Sequence, residues 1–280
     1  MTEESRLSTF VASDGDNVVI QDWPLPAGAT LRGVVIVVHG LGEHAGRYDH
    51  VAQKLNAWGF AVRGYDQCGH GESGGARGSL PTDTRMLDDL ADIVDSTRAR
   101  MQPGTPLILL GHSMGGLVVG RFVSLKIRPV DALIMSSPAL NPGLSAFQKF
   151  LVALLPKIVP DLRVGNGVKP QFISHDPAVV AAYKSDRLVH DRISARLARF
   201  IADAGPATVA LAPQWKVPTL LMYAGDDRLL NPQGSRDFAQ AAPKEVVTTV
   251  CFDKLYHEIF NELDATPVFD ALQQWLNARF

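Results

Sequence analysis

Leu107-Ile-Leu-Leu-Gly111-His112-Ser113-Met114-Gly115-Gly116-Leu117-Val118-Val119 is the stretch on which the fold turns. A short apolar run, too brief for a core helix, leads straight into a glycine-rich turn, and a helical apolar run begins at Met114. A strand that passes this abruptly into a helix holds the turning residue in a strained backbone conformation, so small residues are required two positions to either side. Gly111 and Gly115 stand there, flanking Ser113. The expected structure is strand, tight turn, helix, with the serine hydroxyl raised at the carboxyl end of the strand. The plainer alternative is a glycine-rich turn with no chemical role.

Working outward, Val-Val-Ile-Val-Val between Gly33 and His39 is β-branched and apolar on both faces, which reads as a buried parallel strand. Comparable runs recur at Phe60 to Tyr65, Ala132 to Met135, Thr219 to Tyr223 and Val246 to Phe252. Helical patterns lie between them, over residues 47–58, 82–100, 114–126, 232–241 and from 267 onward, each opened by polar residues or proline. The expected class is α/β: an α/β-hydrolase fold with a mostly parallel central sheet, flanking helices and a helical lid insertion. The alternation fails over residues 140–212, where prolines and glycines interrupt short apolar helices such as Phe147 to Leu155. The core is therefore expected in two pieces, 1–139 and 213–280, with the lid over the carboxyl ends of the strands. Phe147, Phe150, Leu151 and Leu154 share one helical face, which either lines an acyl entrance and touches lipid surfaces or packs inward as core.

A serine hydroxyl is a weak nucleophile until a base takes its proton, and in this fold the partners follow in the order serine, acid, histidine. His175 and His190 fall inside the expected lid, whereas His257 comes just after the last strand and is the expected base. The acid belongs in Ala224-Gly225-Asp226-Asp227-Arg228, where only one aspartate can face the imidazole; Asp227 is preferred, with Asp226 as turn former. An oxyanion hole needs two N–H donors. Met114 supplies one at the helix start and Leu41, in His39-Gly40-Leu41-Gly42, is the candidate for the other, unless that segment is a simple strand-to-helix turn.

The chain has 280 residues, 46% hydrophobic and 20% charged, with a formal net charge of -2, so nothing favours a polyanionic partner and nucleic acid is not expected. The start, Met1-Thr-Glu-Glu-Ser-Arg6, is acidic and lacks the pattern of a secretory leader, and no apolar run reaches the ~18 residues of a spanning helix. A cytoplasmic location is expected. Cys68 and Cys251 read as free thiols. His39, His44, His70 and His112 could converge near the sheet edge, but neither a zinc-binding histidine pattern nor a cysteine pair accompanies them, so neither metal nor cofactor is expected. The oligomeric state is not legible.

Several segments together resemble the monoacylglycerol lipases and lysophospholipases, a group of serine hydrolases related to serine aminopeptidase-like enzymes. They are His39-Gly-Leu-Gly-Glu-His-Ala-Gly-Arg-Tyr48, Gly69-His-Gly-Glu-Ser73, the turn at Ser113, Tyr183-Lys-Ser-Asp186 and Tyr256-His257, spread over nearly the whole length. The resemblance implies hydrolysis of a small acyl ester of the monoacylglycerol type through an acyl-enzyme on Ser113. A lysophospholipase or general carboxylesterase is the alternative, and an aminopeptidase or perhydrolase would use the same triad. It favours Asp227 as the acid and places Glu43, Arg47, His112 and Tyr183 near the glycerol head group. Glu43 and Arg47, four apart at a helix start, also fit an exposed ion pair, and Tyr183 fits ordinary packing. Where that group usually continues Asp-Pro-Leu, this chain has Asp186-Arg187-Leu188, and the added cation suits an anionic head group.

Overall fold

Strand β3 (Gly33–Val38) shows why an unbroken apolar run is needed: Val35 and Val37 join one buried cluster, and Ile36 and Val38 join another. Successive side chains of a strand point to opposite faces, so both faces of the sheet are covered. The computed structural model describes residues 5–280; Met1 to Glu4, most of the acidic start, lie outside the described residues.

The sheet runs β1 (Arg6–Val11), β2 (Asn17–Trp23), β4 (Phe60–Tyr65), β3, β5 (Leu107–His112), β6 (Ala132–Ser136), β9 (Thr219–Ala224) and β10 (Val247–Phe252) across its width. From β4 to β10 every pairing is parallel, while β1 and β2 are antiparallel additions at one edge. Helices α1 (Asp49–Ala57) and α8 (Thr266–Asn277) cover one face through Val51, Leu55, Leu272 and Trp275. Helices α2 (Arg85–Arg98), α3 (Met114–Ser124) and α7 (Gln233–Ala241) cover the other through Leu90, Leu117, Phe122 and Phe238. Each such side chain, fully buried, is worth roughly 1.5–3 kcal/mol. This is the α/β-hydrolase fold with its serine turn between β5 and α3.

Between β6 and β9 the alternation gives way to α4 (Ala146–Ile158), β7 (Arg163–Gly165), α5 (Pro177–Ser185), β8 (Arg192–Ser194) and α6 (Ala195–Ala210). The starts of these helices are written locally. Ser145 and Gln148 form a reciprocal capping box on α4, Asp176 caps α5 with Pro177 behind it, and Ser194 caps α6. Helix α4 runs past Pro156 to Ile158 instead of ending at Leu155, because a proline in the last turn forfeits a single hydrogen bond. Helix α6 packs on α3, and its Leu197 and Ile201 enter the main core. Among the described residues no helix is long and apolar enough to cross a membrane.

Candidate active site

Ser113 occupies φ 55° and ψ -118°, a strained conformation for any residue with a side chain, at the point where β5 becomes α3. The neighbouring glycines are required by contact. A Cβ on Gly115 would overlap the Val38 carbonyl, and one on Gly111 would overlap the carbonyl of Gly115. The turn is pinned by Ser113 N–H donating to the Ser136 carbonyl and by Ala139 N–H donating to the Ser113 carbonyl, both at 2.9 Å.

The Ser113 hydroxyl oxygen lies 2.8 Å from His257 Nε2, and His257 Nδ1 lies 2.6 Å from Asp227 Oδ2. The other Asp227 oxygen accepts the Leu229 and Leu230 N–H groups. Asp226 turns outward and pairs with Arg228. Of the two adjacent aspartates, Asp227 therefore faces the imidazole and Asp226 does not. Burial works against a charged His257 ring, but the adjoining Asp227 carboxylate outweighs it and raises the pKa above the usual histidine value. Burial likewise opposes ionisation of Asp227, and its contact with His257 overrides that and lowers it.

A cavity of about 180 Å³ opens on Ser113 and His257, walled by apolar side chains that include Leu144, Val152, Ile201 and Leu230. Leu41 and Met114 border it, and neither backbone N–H has an acceptor among the described residues. Gly40 makes the approach possible, since a Cβ there would come within 2.8 Å of Glu43 and 3.2 Å of the Ser113 Cβ.

The alternative of an exposed pair for Glu43 and Arg47 does not hold: their side chains are 5% and 11% exposed. Glu43 accepts from the Gly40 N–H at 2.5 Å, from the Tyr48 hydroxyl at 2.7 Å and from Arg47. Burial opposes its ionisation, yet the Arg47 guanidinium holds its pKa down at about 2. Arg47 stands behind the cavity wall with its guanidinium 4.9 Å from the Tyr183 ring centroid. Glu43, His112 and Tyr183 border the cavity and Arg47 does not. His112 bonds Ser136 at 3.1 Å, and burial, followed by the neighbouring His257, lowers its pKa to about 4.

Two expectations are corrected. Phe147, Phe150, Leu151 and Leu154 do not line the cavity; α4 turns Val152 toward it, while Phe147 and Phe150 are 69% and 60% exposed. Arg187 lies at the surface, 86% exposed and 3.6 Å from Glu72, so it brings no cation to the cavity. His39 is buried and accepts the Gln67 N–H, and His44 pairs with Asp186 at 2.8 Å. Among the described residues no group of three or more such side chains is placed to hold a metal. Glu258, which holds Arg47 on the far side, was not legible because its partner is 211 residues away.

A family model described as serine aminopeptidase, S33, matches residues 29–264. The monoacylglycerol lipase of Mycolicibacterium smegmatis is 35% identical over 271 residues, covering 96% of this chain and 95% of that protein. An uncharacterized abhydrolase domain-containing protein of Dictyostelium discoideum is 32% identical over 98% of this chain, but the chain spans only 29% of its length. Phospholipase YtpA of Bacillus subtilis is 30% identical over 85% of this chain and 92% of its own. Among solved structures, the monoacylglycerol lipase of Paleococcus ferrophilus superposes with a TM-score of 0.82 at 32% identity, covering 99% of this chain and 100% of that one.

Proposed function

This chain belongs to the serine aminopeptidase, S33 family of α/β-hydrolases, and from that premise we propose that it hydrolyses monoacylglycerol-type esters through an acyl-enzyme on Ser113. The observation that carries the reading is the chain of contacts from Asp227 through His257 to Ser113 at the base of an apolar cavity. Asp227 accepts a hydrogen bond from Nδ1–H and fixes the tautomer, leaving Nε2 free to take the proton of Ser113 as its oxygen attacks the ester carbonyl. The Leu41 and Met114 N–H groups receive the oxyanion. His257 returns the proton to the departing alcohol, and water then releases the acid by the reverse sequence. The apolar wall suits one acyl chain, and the relatives named monoacylglycerol lipase support a glyceryl leaving group.

Residues 140–212 are the cap in this reading. The exposed Phe147, Phe150 and Ile158 on α4 form an apolar face suited to peripheral contact with a lipid surface, from which a single-chain substrate enters. A lysophospholipid is the second reading, favoured by the likeness to phospholipase YtpA.

The test combines labelling with a substrate panel. A serine-directed phosphonate should label the wild type and fail to label Ser113→Ala. Monoacylglycerols should give a higher kcat/KM than lysophospholipids, short aryl esters and aminoacyl arylamides. Label retained in Ser113→Ala, or preference for the arylamide, would overturn the proposal.

A further inference from the structure

The loop that carries His257 leaves the sheet at the end of β10, and besides Arg47, His50 and the triad partners, the inserted segment holds it at several points. Glu258 N–H, directly after the histidine, donates to the Ile173 carbonyl at 2.8 Å. Ser174, 2% exposed, donates its hydroxyl to the Asn261 carbonyl at 2.7 Å. Glu262 joins the two segments: one oxygen accepts the Tyr256 N–H at 2.6 Å and meets His175 Nδ1 at 2.9 Å, and the other accepts the His175 N–H at 3.2 Å. The rings repeat the connection. His175 stacks on Tyr256 with centroids 3.6 Å apart, Phe172 meets Tyr256 edge-on, and Arg228 lies 4.8 Å from the Tyr256 centroid and 5.6 Å from that of Phe172. Arg228 follows Asp227 and Tyr256 precedes His257, so this stack reaches the loops of both acid and base.

We propose that Glu262 and the stretch 172–175 are positioning elements for His257, so that the inserted segment holds the base on Ser113 and Asp227 as well as covering the cavity. The inference rests on His257 being the base. The Glu262 side chain is 2% exposed, and a carboxylate is costly to bury unless several donors hold it. Here the donors come from two segments about 80 residues apart in sequence, and the carboxylate satisfies both while setting the distance between them. Proton transfer is steeply sensitive to the 2.8 Å distance between His257 Nε2 and the Ser113 oxygen, since a shift of about 1 Å in a reacting group can cost on the order of 100-fold in rate.

The experiment uses the full chain and a short soluble p-nitrophenyl ester, on which entry through the cap has least influence. Glu262→Ala should lower kcat by about 10- to 100-fold with KM changed less than about 3-fold, and should slow phosphonate labelling of Ser113 in parallel. The acid limb of kcat/KM should also move to lower pH. The groups facing the ring are Ser113, Asp227, His112, Glu43 and Glu258, and a ring displaced from Asp227 loses its strongest support for the proton. Glu262→Gln keeps one acceptor oxygen and should recover part of the rate. Ser174→Ala, a milder cut in the same strap, should lower kcat in the same direction and keeps the test open if Glu262→Ala fails to fold. A role confined to stability predicts a lower Tm with kcat and the acid limb unchanged at 25 °C, and that result would overturn the proposal. Its failure is separable from failure of the functional reading: Ser113→Ala would still be inert while Glu262→Ala and Ser174→Ala turned over like the wild type.

Discussion

Arg47 reaches Glu258 with both terminal nitrogens at 2.8 Å, joining the turn after β3 to the residue that follows His257. Its ion pair with Glu43 completes a buried group of one cation between two carboxylates. Removing the cation strands both anions, a change that typically costs about 3–5 kcal/mol. Arg47→Ala should therefore lower Tm by roughly 6–20 °C and reduce turnover of monoacylglycerols and methyl esters in equal proportion. Loss confined to glyceryl esters would show instead that Arg47 serves the head group.

Glu43 also sets a pH window. Its pKa is depressed to about 2 from an ordinary 4.5, so its contribution to stability is fully present above about 4.5 and is lost as the pH falls toward 2. Urea midpoints measured from pH 6 to pH 2.5 should fall more steeply for the wild type than for Glu43→Gln. Parallel curves would show that Glu43 does not carry this dependence.

The two adjacent aspartates should separate by kinetics. Asp227→Asn is expected to lower kcat by about 10⁴, the size of effect seen when the orienting carboxylate of a serine triad is neutralised. Asp226→Asn should stay within about 3-fold, since surface ion pairs such as Asp226–Arg228 contribute little. In the wild type the acid limb of kcat/KM should have its midpoint above pH 6.5, because the folded environment raises the His257 pKa from that value and protonation removes the base. A midpoint at or below 6.5 would contradict this assignment.

Gly42 adopts φ +77°, and a Cβ there would run into the His190 carbonyl. In the same contact the His190 N–H donates to the Gly42 carbonyl at 2.9 Å, next to the Leu41 N–H that the mechanism uses. Gly42→Ala should displace that donor and lower kcat by about 10²- to 10³-fold, with a smaller effect on KM. Unchanged kcat in a folded variant would remove Leu41 from the oxyanion hole.

The exposed face of α4 predicts an unusual pattern. Phe147 and Phe150 are already 69% and 60% exposed, so changing both to aspartate should move stability by less than about 0.5 kcal/mol at each site. Sedimentation with lipid vesicles, and turnover of long-chain monoacylglycerol presented in them, should fall sharply while hydrolysis of a short soluble ester persists. Equal losses on both substrates would end the lipid-contact reading.

What the sequence disclosed followed from how local each signal is. The turn at Ser113 was legible because its strand, glycines and helix lie within a dozen residues, and the parallel strands because burial on both faces writes an unbroken apolar run. Strand β1 was not: its residues are almost all exposed, it stands at the sheet edge, and nothing in Arg6–Val11 alternates usefully. The spacing of Glu43 and Arg47 fits an exposed pair as well as a head-group site, because spacing carries no information about a third partner in Glu258. The face of α4 holding Phe147 and Phe150 was recognised, but the apolar pattern alone did not say that Val152 on the same helix would turn to the cavity.

Ser113 precedes His257 by 144 residues. Strands β4, β3, β5 and β6 lie side by side and are all made before the inserted segment, so the strained turn can form early in synthesis. At roughly 5–20 residues per second, the ribosome takes 7 to 29 seconds to pass from Ser113 to His257. During that interval the nascent chain holds a shaped but unarmed serine. Because His257 follows Ser113 by 144 residues, the serine has no base to activate it until that later segment has been made.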